Sequence, residues 1–317
     1  MKKVCVGVIG VGRLGREHAR LYASMKKSVL VGVVDILKER AVDIARKCRT
    51  ESFTDYSSLF GKVDAVSIAV PTDLHYKIAK DFLGEGIHVL LEKPITQTLN
   101  QAKKLILLSE RKKVILQVGH IERFNSALRK LERQIKNPRF IECHRLSPYQ
   151  PRGTEVGVVL DLMIHDIDII LSLIKSPIRR IEAVGIKVLS PYEDIANVRL
   201  TFTNGAVANV TSSRISQEKM RKFRIFEEDA YISLDFLNQS VSIYKRTPGG
   251  IVKKSPRIEK VEPLKSELEH FVDCILQEQK PLVSGELAKE ALRVALQISR
   301  KINRDRSHFL GSHRRCG

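Results

Sequence analysis

An apolar segment between Val89 and Thr96 ends in two charged residues, which is unusual for an ordinary strand. The segment reads VLLEKPIT, so Glu92 and Lys93 follow the apolar run and Pro94 comes directly after them. Proline prevents Lys93 from continuing into a sheet or a helix, which allows its ammonium group to point at a bound ligand. An ion pair at a solvated turn is the alternative interpretation of this segment.

A second group of chemically capable residues lies in residues 158–174, which read VVLDLMIHDIDIILSLI and are otherwise almost wholly apolar. Offsets of four, three and four residues place its polar side chains on one helix face: Asp161, His165, Asp168 and Ser172. A buried carboxylate or imidazole is destabilising without a partner, so this face lines a polar cavity or a hydrogen-bond network. The pattern is compatible with proton transfer by His165. It is also compatible with a structural role, in which a core histidine is hydrogen-bonded to an aspartate. Asp166 lies off this face and is expected at the surface or behind the site.

A glycine-rich turn follows the first predicted strand, VCVGVI at residues 4–9. Its GxGxxG motif is formed by Gly10, Gly12 and Gly15, with Arg13 and Leu14 before the last glycine. Gly10 allows a tight turn, Gly12 lets the backbone approach a pyrophosphate, and Gly15 lets the next helix pack closely on the strand. The positive end of that helix then faces the phosphates, so the motif predicts a dinucleotide site.

An acidic residue supports this interpretation. The second predicted strand, VLVGVVD, ends in Asp35, about 20 residues beyond the turn, where dinucleotide-binding folds place their ribose ligand. Asp35 would accept hydrogen bonds from the ribose and repel a 2′-phosphate, which favours NAD over NADP. A solvated aspartate at a strand end is the alternative, and the nearby Lys38 and Arg40 keep NADP open.

Strands and helices alternate through the first third of the chain, which predicts a parallel sheet with its ligands at the carboxyl edge. Strands are expected at 4–9, 29–35, 63–70, 87–92 and 114–119. PTDLH at 71–75 is expected as a turn before a helix, and a further helix from about 99 to 109. The fold class is therefore α/β, with an N-terminal Rossmann dinucleotide-binding domain at 1–119.

The pattern changes after His120, and an α+β domain is expected at 120–306. GHIERFNSALRKLERQI is predicted to be helical, and strands of alternating character follow it, which indicates a large, mostly antiparallel open sheet. The last part is predicted to form two amphipathic helices with a turn at SGE. Residues 307–317 form a basic tail.

Bulk composition narrows the class of protein. The 317 residues are 43% hydrophobic, which is enough for two domains, and no stretch approaches the roughly 20 apolar residues of a membrane-spanning helix. The five cysteines are scattered and never in CxxC spacing, so a cytosolic protein without disulfides or a metal site is expected. The net charge of +19 is spread along the chain without a nucleic-acid motif, so no nucleic-acid partner is expected.

Together, the glycine motif, Asp35, AVPTDLH at 69–75 and EKP at 92–94 resemble the oxidoreductase family of glucose-fructose oxidoreductase and inositol 2-dehydrogenase, the Gfo/Idh/MocA family. DLMIH at 161–165 is similar to the DxxxH motif of that family. The resemblance implies NAD(P)-dependent oxidation of a sugar hydroxyl to a ketone. It also implies a homodimer or homotetramer formed through the second sheet.

The resemblance implies roles for particular residues. Lys93 would lie beside the nicotinamide and the substrate hydroxyl, and His165 would be the general base that Asp161 orients unless Asp161 binds the substrate instead. The hydroxyl proton would pass to His165 while hydride passes to C4 of NAD. The cofactor would also contact Val70, Pro71, Thr72, His75 and Glu92.

Substrate contacts are expected from two further stretches: His120, Arg123, Phe124 and Asn125 in the first, and Arg145, Tyr149 and Arg152 in the second. Their arginines would suit a diphosphate, although pairing with local acids is an equal alternative. GHIERFN and DLMIHDIDI resemble the subgroup that oxidises position 3 of UDP-N-acetylglucosamine for lipid A or surface polysaccharide. A dehydrogenase of a free sugar or inositol is the alternative. A non-catalytic NAD-sensing regulator is another, but the presence of both Lys93 and His165 argues against it.

Overall fold

The structure is a computed structural model that describes residues 2–132, 134–150 and 156–312, with the backbone alone from 305 to 312. Arg152 and the end of the basic tail lie outside the described residues. None of the described helices combines the length and the apolar character that crossing a membrane requires.

The strands, in chain order, are β1 Val4–Ile9, β2 Ser28–Val34, β3 Glu51–Phe53, β4 Ala65–Ile68, β5 His88–Glu92, β6 Leu116–Gly119, β7 Phe140–Leu146, β8 Ile178–Ile186, β9 Ile195–Phe202, β10 Val207–Ser213, β11 Met220–Phe226, β12 Ala230–Asp235, β13 Ser240–Thr247 and β14 Gly250–Lys254. The α-helices are α1 Gly15–Ser24, α2 Lys38–Cys48, α3 Thr72–Gly84, α4 Leu99–Lys112, α5 Ser126–Leu131, α6 Ile164–Leu173, α7 Pro263–Gln277 and α8 Gly285–Ser312.

The chain divides into two compact units. The first runs to Phe124 and also contains Val261–Lys289, and the second contains Asn125–Lys260 and the chain from Glu290 onward. Residues 261–289, which were expected in the second domain, thus belong to the first unit. The reason is the apolar face of α7, which packs on α1 and β1 and shares a core with Val6 and Tyr22.

The first unit contains a six-stranded sheet in the order β3-β2-β1-β4-β5-β6, and all of its neighbouring strands are parallel. Helices α1 to α4 connect its strands, which confirms the predicted Rossmann fold. The residues directly after the carboxyl ends of β1, β2, β4, β5 and β6 are Gly10, Asp35, Ala69, Lys93 and His120. Each motif in the first third of the chain therefore lies at one edge of this sheet.

The second unit contains an eight-stranded sheet in the order β14-β13-β12-β11-β7-β10-β9-β8. Only β7 and β10 pair in parallel among these described strands, so the expected mostly antiparallel sheet is confirmed. Ile141 and Phe223 of the sheet share a core with Ile167 of α6 and Val294 of α8. The helix that carries the DxxxH motif is thus packed on one face of the sheet.

Two local expectations differ from the structure. PTDLH is not a turn, because α3 already begins at Thr72, directly after Pro71. The helix expected from residue 120 is a 3-10 turn at Ile121–Phe124 followed by the short α5, since the side chain of Asn125 caps α5 by accepting a hydrogen bond from the Ala127 amide at 3.1 Å.

Candidate active site

The glycine turn has the geometry that its three glycines predict. Gly10 has a φ of +80°, and a Cβ there would lie 2.7 Å from the carbonyl oxygen of Ala69. A Cβ on Gly15 would lie 1.8 Å from the carbonyl oxygen of Gly10, whereas Gly12 borders open space. Conformation and packing therefore require Gly10 and Gly15, and Gly12 leaves the turn open to an approaching group. The first turn of α1 has no side-chain cap, and its Arg16 and Glu17 amides donate to the backbone carbonyls of Gly12 and Leu14.

Asp35 lies at this turn with 6% of its surface exposed. Its carboxylate accepts hydrogen bonds from the Val11 amide at 3.1 Å and the Leu37 amide at 3.0 Å. Arg40 approaches the same carboxylate at 3.3 Å and is about half exposed. The carboxylate thus holds the glycine turn in place, and a cation lies beside it.

His75 joins the two loops that follow β4 and β5. Its ring nitrogens lie 3.0 Å from the carbonyl oxygen of Val70 and 2.9 Å from that of Pro94. Burial lowers the pKa of His75, and hydrogen bonds to the two carbonyls oppose this only in part. A neutral ring donates to one carbonyl at a time, so His75 acts as a buried link between the loops. The neighbouring Thr72 is half-buried and Pro71 is exposed.

Glu92 is held from inside the first unit. Its Oε1 lies 3.3 Å from Nε2 of His18, and its Oε2 accepts a hydrogen bond from the Lys93 amide at 3.3 Å. The other ring nitrogen of His18 lies 2.6 Å from the hydroxyl of Ser67. A Cβ on Gly119 would lie 2.8 Å from the Glu92 carboxylate, so glycine makes room for it. This network fixes the end of β5, where the half-buried Lys93 begins the loop.

Sequence patterns missed His18 and Ser67. The available signal was a polar residue three positions after Gly15, on the face of α1 that also buries Ala19 and Tyr22. Such a residue needs a polar partner inside the fold. Only the folded chain identifies that partner as Glu92.

The polar helix of the second unit begins differently from the prediction. Val159–Met163 form a π-helical turn that contains Asp161, and α6 starts only at Ile164. Single π turns occur frequently at functional sites. His165 is 9% exposed and Asp168 is buried, so the polar face points away from solvent. Ser172 instead bonds back to the Ile169 carbonyl of its own helix at 2.8 Å.

Arg214 secures the segment that leads into this helix, and sequence patterns did not identify it. Its guanidinium donates to the Val156 carbonyl at 2.6 Å and to the Glu193 carbonyl at 3.3 Å. The Glu193 carbonyl also accepts a hydrogen bond from the Val158 amide at 2.9 Å. Asp194 lies 3.6 Å from the guanidinium. The start of the DxxxH helix is therefore tied to the loop before β9.

Asp194 is itself well stabilised as an anion. Burial raises its pKa, but hydrogen bonds from Ser190 and from the amides of Val188, Leu189 and Ser190 outweigh burial and bring the pKa to about 2. Asp194 is therefore ionised at neutral pH and can balance the charge of Arg214.

The expected substrate residues fall into two groups. Phe124 packs against the ring of His270, with centroids 5.3 Å apart, and Asn125 caps α5 and donates to the Phe236 carbonyl at 3.1 Å. These contacts are structural, and the substrate contacts of Phe124 and Asn125 stay predictions. His120 and Arg123 are buried near the end of β6, and their substrate contacts stay predictions.

The guanidinium of Arg145, which was expected to contact the substrate, is paired within the protein. It is buried and makes hydrogen bonds of 2.9 and 2.8 Å to both carboxylate oxygens of Asp166. Asp166 is therefore also buried, not at the surface, because its helix face packs against β7. Glu142, a potential partner of these arginines, pairs instead with Arg224. Tyr149 is exposed at the end of the described segment.

Comparisons with known proteins match both parts of the chain to one family. The family described as "Oxidoreductase family, NAD-binding Rossmann fold" (GFO_IDH_MocA) matches residues 4–120, and the "GFO/IDH/MocA C-terminal domain" matches residues 128–233. UDP-N-acetylglucosamine 3-dehydrogenase of Acidithiobacillus ferrooxidans is 37% identical over 92% of this chain and 95% of its own length. An NAD(+)-dependent scyllo-inositol 2-dehydrogenase of Bacillus subtilis is 28% identical, with 89% of each chain covered.

A solved structure of UDP-N-acetylglucosamine 3-dehydrogenase GnnA from Acidithiobacillus ferrooxidans has a TM-score of 0.91 with this chain. The match has 37% identity and covers 95% of this chain and 98% of that one. Both domain matches and the near-complete coverage lead to one assignment. The chain is a member of the Gfo/Idh/MocA oxidoreductase family, with an NAD-binding Rossmann domain followed by the C-terminal domain of that family.

Proposed function

We propose that this protein is an NAD-dependent dehydrogenase that oxidises the C3 hydroxyl of UDP-N-acetylglucosamine to a ketone, in the synthesis of lipid A or surface polysaccharide precursors. The observation that carries the proposal is the 37% identity to a UDP-N-acetylglucosamine 3-dehydrogenase over 95% of that protein's length. The inositol dehydrogenase of similar coverage is only 28% identical.

The residues of the first unit fit a dinucleotide. The open side of Gly12 and the uncapped start of α1 suit the pyrophosphate, and Asp35 suits the ribose. When bound, NAD supplies the acceptor for the hydride of the substrate. The protein contributes position and charge: the link through His75 and the contacts of Glu92 set the loop on which Lys93 lies.

Lys93 and His165 have separate tasks in this proposal. The Lys93 ammonium stabilises negative charge on the hydroxyl oxygen as its proton leaves. His165 receives that proton, and burial limits its access to water. Asp161, in the π turn one helical turn earlier, either orients His165 or binds the sugar.

We expect Asp35→Ser to shift cofactor preference from NAD toward NADP. The change removes the acceptor for the ribose and releases Arg40, which lies 3.3 Å from it, to pair with a 2′-phosphate. The ratio of the Kd for NADP to the Kd for NAD should fall by at least about tenfold. Calorimetric titration of both cofactors measures it. Asp43→Ser, which removes an exposed carboxylate from α2, is the control, and equal ratios in the two variants contradict the prediction.

Dehydrogenation of a free sugar or inositol is the second candidate, and one contact favours it. Asp166 occupies the guanidinium fork of Arg145, which removes one of the arginines expected to bind a diphosphate. A substrate without phosphates would not need that arginine.

One assay separates the two candidates. Purified protein and NAD are mixed with UDP-N-acetylglucosamine, N-acetylglucosamine, scyllo-inositol or myo-inositol, and NADH absorbance is followed. A 2-oxo acid is added in parallel, in case the nicotinamide stays bound and is recycled. NADH formation or acceptor-dependent turnover with UDP-N-acetylglucosamine alone, inhibited competitively by UDP, is expected. Turnover of the unlinked sugar or an inositol without inhibition by UDP would overturn the nucleotide-sugar substrate.

The cytoplasmic location and the homodimer or homotetramer stay predictions. One face of the second sheet carries a row of partly buried aromatic rings. Their remaining exposed apolar surface supports self-association through this face. The ring centroids are 5.5, 4.8 and 5.5 Å apart along the row Phe140, Phe226, Tyr231 and Tyr244. Light scattering of the purified protein tests the assembly, and the mass of a single chain would contradict it.

A further inference from the structure

An acidic side chain of α7 is completely buried in the first unit. Glu267 has 0% of its surface exposed, and neither of its carboxyl oxygens has a hydrogen-bond partner among the described residues. An ionised carboxylate in that position would lose its hydration without a compensating donor, which strongly disfavours the charged form. The neutral, protonated form of Glu267 is therefore favoured.

The surroundings of Glu267 connect it to the end of β5. Gln117 of β6 donates a hydrogen bond from its side chain to the backbone carbonyl of Glu267 at 3.3 Å. Burial raises the pKa of Glu267 well above 4.5, and the nearby carboxylate of Glu92 raises it further. Burial also raises the pKa of Tyr22 of α1, and the nearby carboxyl groups of Glu267 and Glu92 raise it further. The titratable groups that face Glu267 are thus Glu92 and Tyr22, and His18 contacts Glu92.

The two acids have different partners. Glu92 accepts a hydrogen bond from the Lys93 amide and lies 3.3 Å from the His18 ring, whereas neither oxygen of Glu267 accepts a hydrogen bond from a described residue. Two buried carboxylates that interact cannot readily ionise together, so the negative charge belongs on the one that accepts a hydrogen bond. A second charge on Glu267 would repel Glu92 from its contacts with His18 and the Lys93 amide.

We propose that Glu267 is a positioning residue that stays protonated behind the end of β5, so that Glu92 carries the charge of this pair and holds the Lys93 loop in place. Its importance for turnover rests on the proposed role of Lys93. Its protonation and its influence on the loop do not, so both are tested without substrate.

We expect Glu267→Gln, which keeps size and neutrality, to change how stability depends on pH. A carboxyl whose pKa is raised in the folded state contributes its full stability below 4.5, and this is lost as pH rises toward the folded pKa. The unfolding equilibrium of the wild type should therefore shift toward the unfolded state by up to about tenfold per pH unit relative to Glu267→Gln. Urea unfolding from roughly pH 5 to pH 8 measures this.

Glu269→Gln is the matched control, because Glu269 lies on the same helix but is exposed beside Lys265. Its unfolding curve should follow the wild type across the same pH range. Parallel pH dependence in the wild type and Glu267→Gln would overturn the protonated state of Glu267. An infrared difference spectrum at neutral pH provides a second readout: loss of a protonated carboxyl band in Glu267→Gln supports it, and loss of carboxylate bands overturns it.

The effect on position is measured at the Lys93 amide. In protein labelled with ¹⁵N-lysine, with the signal assigned through Lys93→Met, the wild-type and Glu269→Gln amide shifts should move at alkaline pH, over the range in which the infrared band of the protonated Glu267 carboxyl disappears. In Glu267→Gln this movement should be absent. Identical Lys93 shifts in the wild type and Glu267→Gln across that range would overturn the positioning role. Failure of the sugar assay with these shifts intact would instead count against the proposed function alone.

Discussion

His165→Ala should lower kcat for sugar oxidation by about 10²- to 10⁴-fold and leave the Kd for NAD unchanged. The loss is expected because no other base then receives the hydroxyl proton at a fixed position. NAD affinity is expected to survive because the glycine turn and Asp35 belong to the first unit, whereas His165 belongs to the second. A change that removes proton transfer but not substrate contact lowers kcat more than it alters KM.

The measurement combines steady-state kinetics with calorimetric titration of NAD. His144→Ala is the control, because His144 is a half-buried histidine of β7 on the opposite sheet face from the buried Ile141 and Cys143. It should retain wild-type kcat. Wild-type turnover by His165→Ala would refute the role of His165 as general base. Since His165 is packed in the core of the second unit, His165→Gln, which preserves more of the side chain, separates a loss of base from a loss of folding.

Lys93→Met should lower kcat/KM by about 10²- to 10³-fold, because an uncharged side chain no longer stabilises the oxygen that loses its proton. Methionine keeps the length of the stem, and it leaves in place the hydrogen bonds at the Pro94 carbonyl and at the Lys93 amide that hold the loop. Lys93→Arg should also be impaired, since a planar guanidinium cannot replace a compact ammonium at a fixed point.

Initial rates over a range of substrate concentrations measure this loss, and thermal unfolding checks that the fold is intact. Lys112→Met, at the exposed end of α4, removes the same charge away from the sheet edge and should behave as wild type. If Lys93→Met matches that control in kcat/KM, Lys93 is not part of the reaction. The pair Lys93→Met and His165→Ala also separates charge stabilisation from proton transfer, because only the second should respond strongly to added imidazole.

Local patterns predicted much of the fold. β1 has the bounds that its continuous apolar run predicts, and the two C-terminal amphipathic helices are present as α7 and α8. The short strands β3 and β14 were missed because neither has an apolar pattern. β3 consists of three exposed or half-buried residues, and every residue of β14 is exposed. The π turn before α6 was missed too, since periodicity does not distinguish one wide turn from an α-helix.

The sequence by itself determined the dinucleotide-binding unit. Glycine conformation is a local property, and the carboxyl ends of parallel strands must meet at one edge, so Gly10 and Asp35 were identifiable from residue type and spacing, whereas the role expected of Lys93 came from the family resemblance. Helical periodicity likewise placed His165 on the polar face of an otherwise apolar helix, where buried polar side chains need hydrogen-bond partners.

Tertiary structure alone decided which distant residues support that chemistry. Glu267 comes to lie behind β5 only because the apolar face of α7 packs into the first unit, and Gln117 meets it across 150 positions of the chain. Asp166 likewise accepts the hydrogen bonds of the Arg145 guanidinium, which was expected to bind a diphosphate. Periodicity reports which side of an element is buried but not what it is buried against, because that choice depends on long-range packing of the whole chain.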